Sequence, residues 1–467
     1  MVRFWIAFHF KICVKDGLLC QDRNGRYRKI IHIRLNVFPV LAQVCVQGTI
    51  DGCFPFPACP VLYISIQCKV RCAWGGKESG NTSGQRETGI GKGGGFMAGY
   101  IMTLNDVDAL TYCVKTGTYS TNLSAPKGNW MTHHEGTFAD YLSMKPGDSI
   151  YFFIKRKIYG IGKLIEINSE CRFLNYVGAD RPVDYSKKNY GELEPLLDEG
   201  TANNRCLCVF EPAPLFFLNG VDMDDALNSN PDRFRMLRAM WKVSFIKVDD
   251  DENQALMDII LKRNEENLLR NENAYPYSDT LHNQIRDKNT EQYRLTADNI
   301  LLSCAKGNKI NHEMAIEAAL CELLSEDNST PMGKWDYISH QVVASPFKAI
   351  DYMDKMDIFG YRYIPGYRTK SRYLVVEIKK DEATDDVIGQ IMKYVDWIQG
   401  EYAYGDYSMI EAYVVASGFS DSVRRKKDRE CVRYYTKGCR PAISCIWSSV
   451  KLIQYEFIDN KLRLREV

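Results

Sequence analysis

The stretch YLVVEIKKD, Tyr373 to Asp381, decides how the C-terminal third of the chain folds. Leu374, Val375, Val376 and Ile378 are the bulky and β-branched residues of a central strand. Glu377 and Lys379 interrupt that run two residues apart. Side chains alternate along a strand, so these two leave from one face while Val376 and Ile378 leave from the other. An edge strand with a solvated ion pair gives the same four residues and draws little stability from them. A site of chemistry gives a carboxylate and an ammonium on one strand face a purpose.

The flanking sequence favours a site. Asp357 opens the short apolar strand MDIFG, twenty residues before Glu377. Two carboxylates converging from adjacent strands make a hard-oxygen site suited to magnesium. Such an ion polarises a phosphoryl oxygen and lowers the pKa of water, and Lys379 can stabilise the developing negative charge. Downstream, TDDVIGQIMKYVDWIQGEY has the spacing of a helix with Val387, Ile391, Tyr394 or Val395, and Ile398 as its apolar stripe. Gln390 and Tyr394 lie four apart on one face of it. HEMAIEAALCELLSED reads as a preceding helix; YISHQVVAS, KMDIFGYR and YLVVEIKK as three strands; MIEAYVVASGF as a strand after the second helix. The order is αβββαβ. Taken singly, Gln390 is a surface helix residue, Tyr394 a core residue and Glu317 part of a solvated helix face.

This pattern resembles the PD-(D/E)XK nuclease superfamily, and most closely the C-terminal nuclease domain of the NucS (EndoMS) mismatch endonucleases. The family pattern is a helix Glu, an Asp, Glu-x-Lys, a Gln, and an aromatic one helical turn on. Asp357 takes the place of the Asp, and Glu377 and Lys379 the Glu-x-Lys positions. Gln390 follows Lys379 by eleven residues and Tyr394 follows four later. Glu317 in IEAAL matches the helix Glu, with Glu313 and Glu322 as neighbouring alternatives. The family's proline is absent, since Met356 precedes Asp357. The resemblance covers roughly residues 311–450. It implies a Mg2+- or Mn2+-dependent endonuclease in which Asp357 and Glu377 hold the metal and Lys379, Gln390, Tyr394 and Glu317 complete the site. It also implies DNA as partner, with modified or mismatched duplex as candidate substrates, and a homodimer that cuts both strands.

Residues 97 to about 250 read mostly as strands, in TYCVKT, SIYFFIKRKIYGIGKLIEI and RCLCVFEPAPLFF, with a tight turn at Pro146-Gly147-Asp148. Shorter helical candidates are FADYLSM and PDRFRMLRAMWK. YLSMKPGDSIYFFIKRKIYGIGKLIEI resembles the PUA-like group, which includes EVE and YTH domains, through Lys145, Gly147, Asp148, Tyr151, Phe152, Phe153, Gly160 and Gly162. Some members flip a modified base into an aromatic cage. Trp130, Tyr151 and Trp241 are candidate walls here, and filling a barrel core is the simpler use of each. Between the two halves, DDENQALMDIILKRNEENLLRNEN has helical spacing, with Asp249 to Asp251 at its start suiting the helix dipole. The polar run after it reads as a linker. The expected architecture is α+β: residues 97–250 a PUA-like β-barrel, 251–310 a helical linker, 311–467 the restriction-endonuclease-like domain.

Composition bounds the rest. The chain has 467 residues, 45% of them hydrophobic and 25% charged, as in a globular protein with more than one core. No apolar run is long enough to span a bilayer, and MVRFWIAFHFKICVKDG lacks a signal-peptide cleavage region, so a cytoplasmic protein is expected. Residues 1–96 hold 13 of the 60 basic groups but 5 of the 59 acidic ones, leaving a balance of −7 from Met97 onward. Lys92-Gly93-Gly94 can be encoded with a purine run resembling a ribosome-binding site just ahead of Met97. Residues 1–96 are therefore expected to be a non-native or disordered upstream extension, with a Cys-rich basic nucleic-acid arm as the alternative. Seven of the 16 cysteines fall in that segment, and the other nine show no C-x-x-C pair, which speaks against a zinc site. With a negative balance, DNA must be held by local patches. SVRRKKDRE offers Arg424, Arg425, Lys426 and Lys427 as phosphate contacts, or as a solvated helix face; Lys155, Arg156 and Lys157 form a smaller cluster. A non-catalytic nucleic-acid binder and an RNA-processing factor are the competing functions.

Overall fold

The computed structural model describes residues 97–185, 190–240, 245–326, 329–345 and 353–467, with four two-residue strands before them. The chain divides into two compact units, Met1–Ile90 and Gly91–Val467. In the first, β1 (Cys20–Gln21) pairs antiparallel with β2 (Tyr27–Arg28), and β3 (Ile31–His32) with β4 (Cys45–Val46). The expectation of an upstream extension otherwise lies outside the described residues.

The second unit is a mixed α+β structure with two large sheets. Its first part runs β5 (Gly99–Thr103), α1 (Val107–Thr116), β6 (Thr118–Asn122), α2 (Thr132–Leu142), β7 (Ser149–Ile154), β8 (Lys157–Leu164), β9 (Arg172–Leu174), β10 (Asn204–Pro212), β11 (Val221–Asp222), α3 (Met223–Ser229), α4 (Met236–Met240) and β12 (Phe245–Val248). These strands form one eight-stranded sheet in the order β12-β5-β7-β8-β10-β6, with β11 on β8 and β9 on β10. Lys155 and Arg156 turn the β7–β8 hairpin with φ of 44° and 70°, the positive pair a two-residue hairpin loop requires.

One expected strand is a helix: TYCVKT lies in α1. Asp106 caps it, accepting from the Ala109 N–H at 2.8 Å, and Gly117 closes it at φ 64°. Leu110, Cys113 and Val114, three and four apart, are the buried face. Caps and spacing outweigh the β-branched content of the segment.

The middle of the unit carries α5 (Asp250–Arg263), α6 (Glu265–Arg270), α7 (Thr280–Lys288), α8 (Asp298–Cys304) and the short hairpin β13 (Ala305–Lys306) and β14 (Lys309–Ile310). Within the polar run, α7 buries His282 and Ile285, and His282 Nε2 lies 2.8 Å from the Gly117 carbonyl oxygen. No helix among the described residues is long and apolar enough to cross a membrane.

The last part runs α9 (Glu313–Glu326), β15 (Tyr337–Val343), β16 (Lys355–Tyr363), β17 (Lys370–Ala383), α10 (Asp386–Glu401), β18 (Ile410–Phe419), α11 (Asp421–Glu430), β19 (Arg433–Lys437), β20 (Ile443–Trp447), β21 (Val450–Ile458) and β22 (Lys461–Glu466). Six of these strands form a sheet ordered β15-β16-β17-β18-β21-β22, parallel at β17/β18 and β18/β21 and antiparallel elsewhere. YLVVEIKKD is thus in an interior strand covered on both faces. Leu374, Val376 and Ile378 share a core cluster with Ile316 and Leu320 of α9. Tyr373 and Val375 pack with Val387, Ile391 and Val395 of α10. The α9-side cluster also takes in Tyr100, Phe138 and Phe152, so the two sheets share one core. The buried Lys247 ammonium ties them further, donating to the carbonyls of Ser143 (3.0 Å) and Ile338 (2.7 Å).

Candidate active site

The antiparallel ladder between β16 and β17 ends at the pair Ile358↔Val376. Beyond it, Asp357 replaces the ladder with its side chain, Oδ2 accepting from the Ile378 N–H at 2.7 Å. On its other edge β17 stays paired with β18 through Lys379. Glu377 and Lys379 therefore sit where one neighbour strand departs and the other remains, an opening at the carboxyl end of a parallel pair.

Glu377 is fully buried. Its Oε1 accepts from Lys379 Nζ at 2.6 Å, while Oε2 is buried with no hydrogen-bond partner. Burial lifts the Glu377 pKa to about 7 against the pull of Lys379. Burial, then the charges of Glu377 and Glu317, push the Asp357 carboxyl well above the usual carboxylate range. For Lys379, burial pulls the pKa down, but Glu377 and Asp357 outweigh it and leave the ammonium more basic than usual. Crowded carboxylates with one orphaned oxygen are a donor set that fits a hard divalent cation.

Glu317 comes from α9 and joins the group through Gln341 of β15. The Gln341 amide donates to Glu317 Oε1 at 2.9 Å and toward Asp357 Oδ1 at 3.4 Å. Gln341 adopts φ 52°, a conformation uncommon outside glycine and asparagine and often found at functional sites. Behind it, His340 Nε2 lies 3.0 Å from Asp140 Oδ1 and Nδ1 lies 3.5 Å from Glu317 Oε2. Burial alone would lower the His340 pKa, but the Asp140 and Glu317 carboxylates raise it to about 10. Of the neighbouring alternatives, Glu313 accepts from the Lys380 N–H at 3.2 Å and Glu322 from the Ala297 N–H at 2.9 Å. On α10, Gln390 Nε2 donates to the Tyr394 hydroxyl at 3.2 Å. Burial, then the negative charge of Glu377 and Asp357, raises that phenol to about 12.

The structure thus brings Glu317, Asp357, Glu377 and Lys379 together, with Tyr394 within their electrostatic reach and Gln390 bonded to it. Sequence reasoning missed Gln341 and His340. The only trace they leave is a polar pair interrupting the apolar alternation of YISHQVV.

The basic residues lie on α11, which abuts the start of α10: Lys426 Nζ donates to the Asp385 carbonyl at 2.9 Å and Ser422 Oγ to Asp385 Oδ2 at 2.7 Å. Lys427 pairs with Asp428, and Arg424 and Arg425 make no ion pair among the described residues. Arg156 pairs with Asp224 at 2.6 Å. Trp130 and Tyr151 are core residues: Trp130 Nε1 donates to the Asp180 carbonyl at 3.1 Å and the Tyr151 hydroxyl to Asn253 Oδ1 at 2.8 Å. Trp241 lies outside the described residues. Asp249, Asp250 and Asp251 group at the start of α5, where Asp249 caps the Glu252 N–H and Lys370 pairs with the other two.

No known family model and no curated protein matches the chain. Among solved structures, it is similar to the crystal structure of a repair endonuclease from Pyrococcus abyssi, with 20% identity over 24% of this chain and a TM-score of 0.18. The match spans 43% of that chain.

Proposed function

We propose that the protein is a metal-dependent DNA endonuclease of the PD-(D/E)XK type, with residues 97–250 acting as a PUA-like reader of modified or mismatched duplex. The carrying observation is the meeting of Asp357, Glu377 and Lys379 where β16 leaves β17, with Glu377 Oε2 buried and unpartnered. Asp357 and Glu377 would hold Mg2+ or Mn2+, which when bound polarises the phosphoryl oxygen and makes water a nucleophile at neutral pH. Lys379 turns from Glu377 toward the phosphate and stabilises the charge that develops there. Glu317 and Gln341 orient Asp357. Tyr394, fixed by Gln390, closes the α10 side. Arg424 and Arg425 supply phosphate contacts beside the opening. A homodimer that cuts both strands belongs to the same proposal.

The test is plasmid cleavage with magnesium, against EDTA and against Glu377→Ala and Lys379→Ala. Losses of about 100-fold or more are expected for each variant. Undiminished cutting by both removes these residues from the chemistry. Metal-independent binding with no cleavage identifies a binding protein instead, and cleavage of RNA in preference to matched DNA an RNA-processing factor.

A further inference from the structure

Away from the carboxylates around Glu377, three side chains from distant segments meet at one end of the α2/α9 contact. Glu135 lies in the first turn of α2, Cys304 is the last residue of α8, and His312 immediately precedes α9. Cys304 Sγ donates to Glu135 Oε1 at 2.9 Å, and His312 Nδ1 makes a very short contact with the same oxygen. The donor atoms of all three lie within 4.8 Å of one another. Glu135 is fully buried, and its second oxygen, Oε2, is buried without any hydrogen-bond partner. A fully buried carboxylate that takes both donors on one oxygen and leaves the other empty is incomplete as a hydrogen-bonded cluster.

We propose that Glu135, Cys304 and His312 form a zinc site. A thiolate, an imidazole and a carboxylate suit zinc, whereas magnesium and calcium take oxygen ligands. Donor atoms around a tetrahedral zinc sit roughly 3.3–3.7 Å apart given its usual bond lengths, so a small spreading of the present contacts seats the ion. The His312 side chain is 36% exposed, which leaves a fourth position open to water. On binding, the Cys304 thiol and His312 Nδ1 each give up a proton to solvent, the imidazole staying neutral with its N–H on Nε2, and Glu135 exchanges two hydrogen-bond donors for the cation. Cys304 is poorly placed as a nucleophile, because it is buried and its thiol meets a carboxylate and not an imidazole. The ion would tie α2, α8 and the start of α9 at one point. The ligands are far apart in sequence, at 135, 304 and 312, so no local Cys/His spacing announces them.

The experiment is a cobalt(II) titration of the full chain, stripped by chelator and kept reduced. One equivalent of cobalt is expected to produce a thiolate-to-metal charge-transfer absorption that zinc displaces. Cys304→Ser should abolish that absorption. His312→Ala should weaken cobalt binding by about 100-fold or more; because His312 is half-exposed, this variant keeps its fold and decides the matter even if Cys304→Ser does not fold. Absence of the band at one equivalent, its survival in Cys304→Ser, or unchanged affinity in His312→Ala overturns the site. The readout is spectroscopic and independent of any cleavage of DNA.

Discussion

Gln341 is the residue on which the arrangement of the carboxylates turns. It is the shared donor to Glu317 and Asp357, so its removal leaves a buried acid and a half-buried one without their common donor. Gln341→Ala is expected to weaken magnesium binding by roughly 10–100-fold, measured as a rightward shift of the metal titration of cleavage. Glu377, Lys379, Asp357, Gln390 and Tyr394 could be picked out in the sequence because strand alternation and helical spacing fix their relative directions. Gln341 and His340 could not, because Glu317 lies 24 residues from Gln341 and Asp140 lies 200 residues from His340, in packing that no local pattern encodes. Glu322, once an alternative for the helix acid, carries a separate prediction. Burial raises its pKa from 4.5 to about 7, so the folded state holds this proton more tightly than the unfolded one. Its stabilising contribution is full below about pH 4.5 and is lost as pH rises through about 7. Glu322→Gln, which retains an oxygen to accept from Ala297, should flatten that decline, by on the order of 2 kcal/mol, read from urea midpoints at pH 5 and pH 8.

At the level of elements, the segments flanking YLVVEIKKD were legible because long apolar runs and a clear helical stripe leave few alternatives. TYCVKT was not, because six residues rich in β-branched and aromatic types carry no period of their own. Its fate is decided by Asp106 and Gly117, which lie outside it. The basic helix α11 was legible as charge but not as position. Its contacts with Asp385 set it beside the turn between β17 and α10, next to the strand that carries Lys379. Arg424→Ala and Arg425→Ala should each weaken DNA binding uniformly across sequences and lower the slope of log affinity against log salt by about one. A slope unchanged in the double variant, measured by fluorescence anisotropy over a salt series, would place the nucleic acid elsewhere.

At the scale of the molecule, the proposed division into a reader and a nuclease part is a division of sequence, while the packing is continuous. Phe138, Phe152, Leu320 and Val376 belong to one core, and Lys247 spans the two sheets. Residues 97–467 should therefore unfold in a single calorimetric transition; two separated transitions would mean that the halves are stable apart. The buried line from Asp140 on α2 through His340 to Glu317 on α9 has an electrostatic meaning. Only its first link is a hydrogen-bond contact: His340 Nε2 lies 3.0 Å from Asp140 Oδ1, whereas Nδ1 stands 3.5 Å from Glu317 Oε2 with no hydrogen-bond partner among the described residues. The imidazole is thus anchored from α2 and tied to Glu317 by charge alone. A displacement of α2 would reach that carboxylate as a change of electric field and not as a pull.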